Sequence, residues 1–306
     1  MTTIIAVPKA PSKRRLGPDL NRLRFHYPQW FFIPAMVLFV VFFAVPTFAS
    51  LYFSLTRWTL FDAQFIGIDN FVNFFKDPQL SQGFVHTFIY GVVTSLAKVV
   101  LGFFIAVFLT SPVLGRGYLR AVVFFPVLVS TVGIGLTFKS LLDPFHGIVN
   151  GALSAFGIQG PGWLTDPNGA LLTVAAVDIW KGLGVAVLIF IAGIVAIPQE
   201  YFEAARVDGA NTWMILRRIT IPLSYPAITT VVILSLIGGL RSFDLIWTMT
   251  SGGPGFTSDV IGSVIYKMYQ AGFYGLSTAG NVILIVVVAA ILVPLSRFLT
   301  RREVDL

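Results

Sequence analysis

Residues 200–226 read EYFEAARVDGANTWMILRRITIPLSYP and form a polar stretch between two long apolar runs. Glu203-Ala204-Ala205 is followed by Gly209 and then by Ile219-x-Ile221-Pro222. The stretch also contains three arginines, Arg206, Arg217 and Arg218. Basic loops face the cytoplasm, so the stretch is predicted to be a cytoplasmic loop. A short helical loop in this place indicates a contact with another protein on the inner side of a membrane.

The composition is typical of an integral membrane protein. Of the 306 residues, 56% are hydrophobic and 11% are charged, whereas soluble domains carry about 25% charged residues. The net charge of +7 is explained by basic residues that flank the apolar runs, and no aromatic–basic module indicates nucleic-acid binding. The chain has no cysteine, which excludes disulfides, thiolate metal sites and cysteine nucleophiles.

Six stretches are apolar over the roughly 20 residues that a spanning helix needs. They lie near residues 30–55, 86–110, 119–142, 170–196, 226–249 and 277–299. The sequence therefore predicts an all-α integral membrane protein with six transmembrane helices. The basic residues of the loops place both termini in the cytoplasm. We assign residues 1–28 to a basic cytoplasmic N-terminal tail, 29–299 to the transmembrane domain with its loop at 197–225, and 300–306 to a cytoplasmic C-terminal tail.

The polar loop itself carries helix signals. Pro198 is suited to the first helical residue, and Gly209 to the left-handed conformation that ends a helix. Asn211 or Thr212 can then cap a second short helix. Two functions fit such an amphipathic loop: it rests on the membrane surface, or it docks on another protein.

Charged residues inside the predicted spans are costly and therefore mark candidate functional positions. Asp178 and Lys181 lie three positions apart and share a helix face, so they could form an ion pair or line a translocation path. Arg241 and Asp244 repeat that spacing, and the same two alternatives apply to them. Lys98 could face the helix bundle or pair with an acid.

Other polar candidates belong to the ends of spans. Lys139 is expected to reach the outer interface with its long side chain. The aromatic stretch from Phe65 to Phe75 is expected to form a short interfacial helix, which could anchor the chain at lipid headgroups or receive an extracellular partner. The three histidines are isolated in the sequence, and we find no metal-binding spacing and no nucleophile–base pair, so no catalytic residue is assigned.

The loop motif resembles the coupling loop of bacterial ABC-importer permeases, E-A-A-x3-G-x9-I-x-L-P, with Ile221 in place of the leucine. Four further stretches resemble maltose-type sugar permeases, a group that also includes glycerol-phosphate permeases. They are Phe65–Phe71, Trp163–Pro167, Asp178–Gly182 and Thr250–Pro254. Their order and spacing cover about residues 30–300. The resemblance implies the type I ABC-importer permease fold and a permease subunit of an ATP-driven importer for an oligosaccharide or related polyol.

The resemblance also implies roles for individual residues. ATPase coupling is expected at Glu203, Ala204, Ala205, Gly209, Ile219 and Pro222. The substrate path is expected at Thr131, Asp178, Trp180, Lys181, Gly182, Arg241, Ser242 and Asp244. The maltose-type pattern is neutral and rich in amides, so the charges of this chain favour a ligand other than maltose. A phosphorylated polyol would suit Lys181 and Arg241, unless Asp178 and Asp244 neutralise them.

Partners follow from the same resemblance. We expect a second homologous permease, a cytoplasmic ATPase dimer, an extracellular substrate-binding protein, a carbohydrate substrate and no nucleic acid. The chain lacks the G-x4-G-K-[ST] loop that cradles phosphates, so no cofactor is expected on it, with ATP and Mg on the partner ATPase. The expected location is a bacterial or archaeal plasma membrane, with several passes.

Two other classes of function remain open on the residues alone. The first is a secondary carrier driven by an ion gradient, in which Asp178 or Asp244 would titrate. The second is a membrane scaffold or enzyme, which the absence of a catalytic constellation makes the weaker alternative.

Overall fold

The computed structural model describes residues 29–59 and 61–301. The basic tail predicted at 1–28 and residues 302–306 of the predicted C-terminal tail lie outside the described residues. The contacts divide the chain into two units, one ending at Phe48 and the other beginning at Ala49. The described part of the first unit is helical, and its large apolar side chains, such as Phe42 and Phe48, are exposed as in a helix that faces lipid.

The helices follow one another with short connections. In chain order they are α1 (Trp30–Phe53), α2 (Asp69–Lys76), α3 (Pro78–Thr110), α4 (Arg116–Leu128), α5 (Thr131–Leu141), α6 (Ile148–Ala155), α7 (Ala170–Val195), α8 (Gln199–Val207), α9 (Thr212–Leu223), α10 (Tyr225–Leu240), α11 (Asp244–Thr250), α12 (Ile261–Gln270) and α13 (Tyr274–Thr300). A 3-10 turn at Gln29–Phe32 begins α1, and π-helical turns occur within α1 at Val40–Ala44 and within α9 at Leu216–Thr220. A small antiparallel hairpin joins β1 (Thr56–Trp58) to β2 (Ala63–Phe65).

The predicted six spans are found as four long helices and two bent pairs. Four helices of the described chain, α1, α3, α7 and α13, are long and apolar enough to cross a membrane. The pairs α4–α5 and α9–α10 bend by 96° and 68°, and the number of spans reaches six when each pair is taken as one. The chain is therefore a multi-pass, all-α membrane protein.

Two spans differ from the straight helices that the sequence predicted. The third, expected over 119–142, is broken at Val129 and Ser130, just after Pro126, which has no amide hydrogen to donate. The fifth, expected over 226–249, ends at Leu240 and resumes as α11 at Asp244. The apolar composition of a stretch predicts how long the span is, but it does not show where the helix is broken.

Two local boundaries also needed correction. The helix predicted within Phe65–Phe75 begins at Asp69, because Phe65 belongs to β2. Pro198 is not the first helical residue: it directly precedes α8, which begins at Gln199.

The core of the second unit forms where α7 packs against α3, α4 and α10. One apolar cluster contains Tyr90 of α3, Val174 of α7 and Ile246 of α11. A second contains Phe103 of α3 and Phe190 of α7. On both α3 and α7, the segment between the two clusters carries polar residues, which places a polar layer between two apolar ones.

Small residues allow the helices to approach closely at this layer. A Cβ atom added to Gly239 of α10 would lie 2.7 Å from Cα of Gly91 on α3. Membrane helices commonly pack through such small residues, because lipid gives no hydrophobic drive for their association. The end of α10 is therefore fixed against α3 at the level of Gly91.

Candidate functional site

The predicted cytoplasmic loop forms two short helices, α8 and α9. In α8, Glu200 lies in the first turn and Arg206 in the last, an arrangement that is favourable for the helix dipole. The side chains of Glu203 and Ala204 are exposed, and that of Ala205 is half-buried. The helix thus presents a small, mildly polar surface away from the bundle.

A tight turn ends α8 at the predicted glycine. Gly209 has φ +79°, in the left-handed region that glycine adopts without strain. The amide of Gly209 donates to the carbonyl of Arg206 at 3.1 Å, and the amide of Ala210 donates to the carbonyl of Ala205 at 2.9 Å. This is the Schellman arrangement, which satisfies the last carbonyls of a helix.

The second loop helix, α9, is tied to the bundle at its C-terminal end. Asn211 caps its start, since Oδ1 accepts from the amide of Met214 at 2.8 Å, as the sequence predicted for Asn211 or Thr212. Thr220 and Ser224 are buried, and the Ser224 hydroxyl donates to the carbonyl of Thr220 at 2.6 Å. The predicted coupling residues Ile219 and Pro222 are half-buried.

Several apolar side chains of the loop stay exposed. They include Tyr201, Val207, Trp213 and Met214, with Val207 88% exposed. Trp213 is exposed, whereas Leu216 and Ile219 are half-buried. Exposed apolar and small side chains on a loop outside the helix bundle are typical of a surface that another protein covers.

The second candidate site is an ion pair in the polar layer. Lys98 Nζ of α3 lies 2.8 Å from Asp178 Oδ2 of α7, and the two side chains are 8% and 20% exposed. The sequence offered Lys181, three positions away, as one possible ion-pair partner of Asp178, and the structure does not form that pair. The partner of Asp178 is instead Lys98, which is 80 positions away in the sequence.

Gly182 leaves room for this lysine. A Cβ atom at Gly182 would lie 2.7 Å from Cε and 2.9 Å from Nζ of Lys98. The predicted path residue Gly182 therefore has a packing role that the sequence did not reveal: it lets Lys98 reach Asp178 across the surface of α7.

Two further hydroxyl groups border the pair. The Tyr90 hydroxyl lies beside Asp178 and Ser242, and its side chain is 1% exposed. Within the described part of the chain it forms no hydrogen bond of good geometry. The break after α10 thus brings Ser242 to the same level as Asp178.

The remaining predicted charges stay unpaired. Among the residues that the structure describes, neither Lys181, Arg241 nor Asp244 forms an ion pair, which corrects the expected pairing of Arg241 with Asp244. Arg241 and Asp244 are exposed and Lys181 is half-buried. Lys139 is exposed in the last turn of α5, consistent with an interfacial position.

The two other predicted path residues lie along α5 and α7. Thr131 is half-buried at the first position of α5, directly after the bend. Trp180 packs against Phe138 of α5 with ring centroids 5.4 Å apart, and it is 45% exposed. Both aromatic rings line a largely apolar groove of about 600 Å³ that Trp163 also borders.

Sequence reasoning missed the roles of Lys98, Tyr90 and Gly182, because their partners are distant in the chain. Lys98 lies near the centre of its apolar run, which indicated that it has a buried partner. The sequence alone did not show that this partner is Asp178. The described residues contain no group of three His, Cys, Asp or Glu side chains that could hold a metal ion.

The sequence matches, over residues 22–303, the family described as the inner membrane component of binding-protein-dependent transport systems. The probable ABC transporter permease protein YurN of Bacillus subtilis is 32% identical, covering 90% of this chain and 97% of that protein. The trehalose/maltose transport system permease protein MalF of Thermococcus litoralis is 31% identical, covering 84% and 88%. A bacterial alginate ABC transporter, solved with an alginate pentasaccharide-bound periplasmic protein, contains a chain that superposes with a TM-score of 0.80 at 26% identity, covering 95% of this chain and all of that one.

Proposed function

The chain belongs to the family of inner membrane components of binding-protein-dependent transport systems, and from that premise we propose that it is the permease subunit of an ATP-driven importer of carbohydrates. It is a membrane transport component and not an enzyme. It has the type I permease fold that the sequence predicted, since the superposition on a solved importer permease extends over 95% of the chain. That full-length agreement is the observation that carries the proposal.

The proposed mechanism begins at the exposed loop. A cytoplasmic ATPase would bind α8 through Glu203, Ala204, Ala205 and Gly209, with Ile219 and Pro222 fixing the loop to the bundle. The Schellman turn and the buried hydrogen bond between Ser224 and Thr220 make the loop stiff. A stiff loop passes a displacement on to the bundle, whereas a flexible one would absorb it.

The displacement would travel along α10. This helix has 16 residues and is therefore about 24 Å long. It connects the loop directly to the break at Arg241 and Ser242, which borders the polar layer of Asp178 and Tyr90. Closure of the ATPase would in this way alter the polar layer far from the loop. Hinges of this kind commonly lie where a helix is interrupted.

The polar layer is proposed to be this subunit's part of the substrate path. Asp178 and Ser242 offer hydrogen-bonding oxygens, Gly182 with Lys98 shapes the wall, and Trp180 offers a half-exposed aromatic face. Thr131, Lys181, Arg241 and Asp244 complete the proposed set. Polar groups at this depth are tolerated where they face a bundle interior or a water-filled cavity.

We further propose the composition and location of the transporter. The chain would pair with a second homologous permease, an ATPase dimer and an extracellular substrate-binding protein, in the plasma membrane of a bacterium or archaeon. The chain would hold no cofactor, and ATP and Mg would bind to the ATPase. Membership of a binding-protein-dependent transport family supports a multi-subunit complex.

A secondary carrier driven by an ion gradient gains no support from the geometry. Such a carrier needs an intramembrane acid that is free to titrate, and Asp178 is held by Lys98 at 2.8 Å. Asp244 lies in the first turn of α11, where a negative charge is already favourable.

The proposal is tested by variants of the loop. Gly209→Val forces a branched side chain into the left-handed region, and Glu203→Lys reverses a charge on the exposed face of α8. Both should abolish ATP-dependent uptake of labelled oligosaccharides into vesicles that contain the whole complex, with normal amounts of the chain in the membrane.

Gly117→Val is the matched control, because a Cβ placed there meets no described atom outside its own stretch of helix and Gly117 is not among the glycines with positive φ. This control should retain uptake. Wild-type uptake by Gly209→Val and Glu203→Lys would refute the coupling assignment.

A further inference from the structure

The charges of the polar layer do not cancel. Lys98 and Asp178 neutralise each other through the 2.8 Å ion pair. This removes Asp178 as a counter-ion for Lys181, its near neighbour on α7. Lys181 and Arg241 are then cations of the polar layer that pair with no acid among the residues the structure describes.

Asp244 does not neutralise Arg241 either. It lies in the first turn of α11, where its carboxylate interacts favourably with the positive end of the helix dipole. No ion pair joins it to Arg241, although only two residues separate them and both belong to the described part of the chain. The local excess of positive charge is thus a property of the folded chain.

The two cations lie close to the same depth in the bundle. Leu240, directly before Arg241, packs on Gly91 of α3. Ser242, directly after Arg241, lies beside Tyr90, which also lies beside Asp178. Lys181 follows Asp178 by less than one turn of α7. Arg241 is therefore next in the chain to Ser242, and Lys181 is three positions from Asp178, so both cations adjoin the patch formed by Tyr90, Asp178 and Ser242.

An exposed guanidinium at this depth requires a partner. Contact of an arginine with hydrocarbon is costly, so such a side chain faces water, a counter-ion or another protein. Arg241 is exposed and presents a planar fork of N–H donors that matches carboxylate and phosphate oxygens. Lys181, half-buried, adds a second positive charge without the fork.

We propose that the substrate of this importer is an anionic carbohydrate, one that carries a carboxylate or a phosphate, and that Arg241 binds this group with Lys181 as a second cation. This inference rests on the proposed function of a carbohydrate importer. Asp178, Ser242 and Trp180 would contact the hydroxyl groups and the apolar face of the sugar ring. Arg241 then determines specificity, because a neutral sugar would leave the guanidinium without a counter-ion.

The test uses the full complex with its own binding protein in vesicles that contain ATP. Three probes distinguish the sources of negative charge: galacturonate oligosaccharides for the carboxylate, glycerol 3-phosphate for the phosphate, and maltotriose as the neutral sugar. Wild-type complex should take up one of the anionic probes and not maltotriose. Arg241→Gln should lower that uptake by about 10- to 150-fold, the effect of losing hydrogen bonds to a charged group.

Two variants separate substrate binding from folding. Arg241→Lys keeps the charge and loses the fork, so it should recover part of the uptake of the anionic probe. Lys139→Gln removes an exposed cation at the end of α5, outside the polar layer, and should change uptake less than twofold. The amount of assembled complex, measured by co-purification of the ATPase, should be equal for all variants.

Other results overturn the inference in distinguishable ways. ATP-dependent uptake of maltotriose that Arg241→Gln leaves unchanged would refute an anionic substrate and leave the proposed function standing. Arg241→Gln could instead reduce the amount of assembled complex. If neutralising an acid of the second permease that faces Arg241 then restores assembly, Arg241 is an interface residue and the inference is refuted. Absence of ATP-dependent uptake of every probe would refute the inference together with carbohydrate import.

Discussion

Removal of Lys98 should destabilise the chain through Asp178. In Lys98→Met the side chain keeps a similar length, but the carboxylate, whose side chain is 20% exposed, loses a partner at 2.8 Å. Breaking a buried ion pair by removing one partner costs about 3–5 kcal/mol. The partial exposure of Asp178 puts the expected loss at the lower end, about 3 kcal/mol, or roughly a 150-fold change in the folding equilibrium.

The double variant Lys98→Met with Asp178→Asn separates the energy of the ion pair from the cost of leaving one buried charge without a partner. With both charges absent no uncompensated ion remains, and replacement of a buried pair by neutral groups is often close to neutral. We therefore expect a loss of about 1 kcal/mol, smaller than the loss in Lys98→Met alone.

The free energy of unfolding is measured by titration with a denaturing detergent in mixed micelles, for the wild type, each single variant and the double variant. Lys139→Met is the control, since Lys139 is exposed and should change stability by no more than about 0.5 kcal/mol. A double variant whose loss equals the sum of the two single losses would show that the two charges do not interact. A loss in Lys98→Met no larger than in the control would refute the buried-charge argument altogether.

Three further outcomes are expected. Gly182→Ala should lower stability by about 2 kcal/mol because its methyl group would lie 2.7 Å from Cε of Lys98, and in a Lys98→Ala background, where both Cε and Nζ are absent, a thermal melt should show a smaller effect. Gly209→Ala should cost about 1–2 kcal/mol through its φ of +79° with little loss of membrane insertion; unchanged stability and uptake would contradict the turn assignment. Asp259→Asn should destabilise the segment between α11 and α12 by about 3 kcal/mol, because Asp259 is 1% exposed and bonded to Lys267 at 2.6 Å. Limited proteolysis of this segment would detect the loss, whereas protection equal to that of the wild type would count against it.

Patterns local in the chain predicted the local structure well. The left-handed Gly209, the cap at Asn211 and the position of α7 agree with the sequence because each depends on residues within one or two helical turns. The number of spans followed from apolar length alone, once each bent pair is counted as one. The resemblance to importer permeases, based on the loop motif and four further stretches, was confirmed by the family match.

Features that depend on distant residues were wrong or absent. The sequence suggested Lys181 as a possible partner of Asp178, because i, i+3 spacing is a proximity within one helix that a sequence displays directly. The actual partner, Lys98, is 80 positions away, and it reaches Asp178 only because Gly182 has no side chain. The breaks at Val129–Ser130 and at Arg241–Phe243 lie inside stretches that are apolar overall, so hydropathy predicted neither of them.

The sequence by itself determined that this chain crosses a membrane several times and that it carries a helical loop suited to a cytoplasmic partner. These properties follow from apolar length, basic residues and turn chemistry, which act over a few residues. The tertiary structure decided which charges cancel: it pairs Lys98 with Asp178, whereas Arg241 and Lys181 pair with no acid in the described part of the chain. The physical reason is that an ion pair acts over a few ångströms in space, and only the packing of α3, α7 and α10 determines which side chains come within that distance.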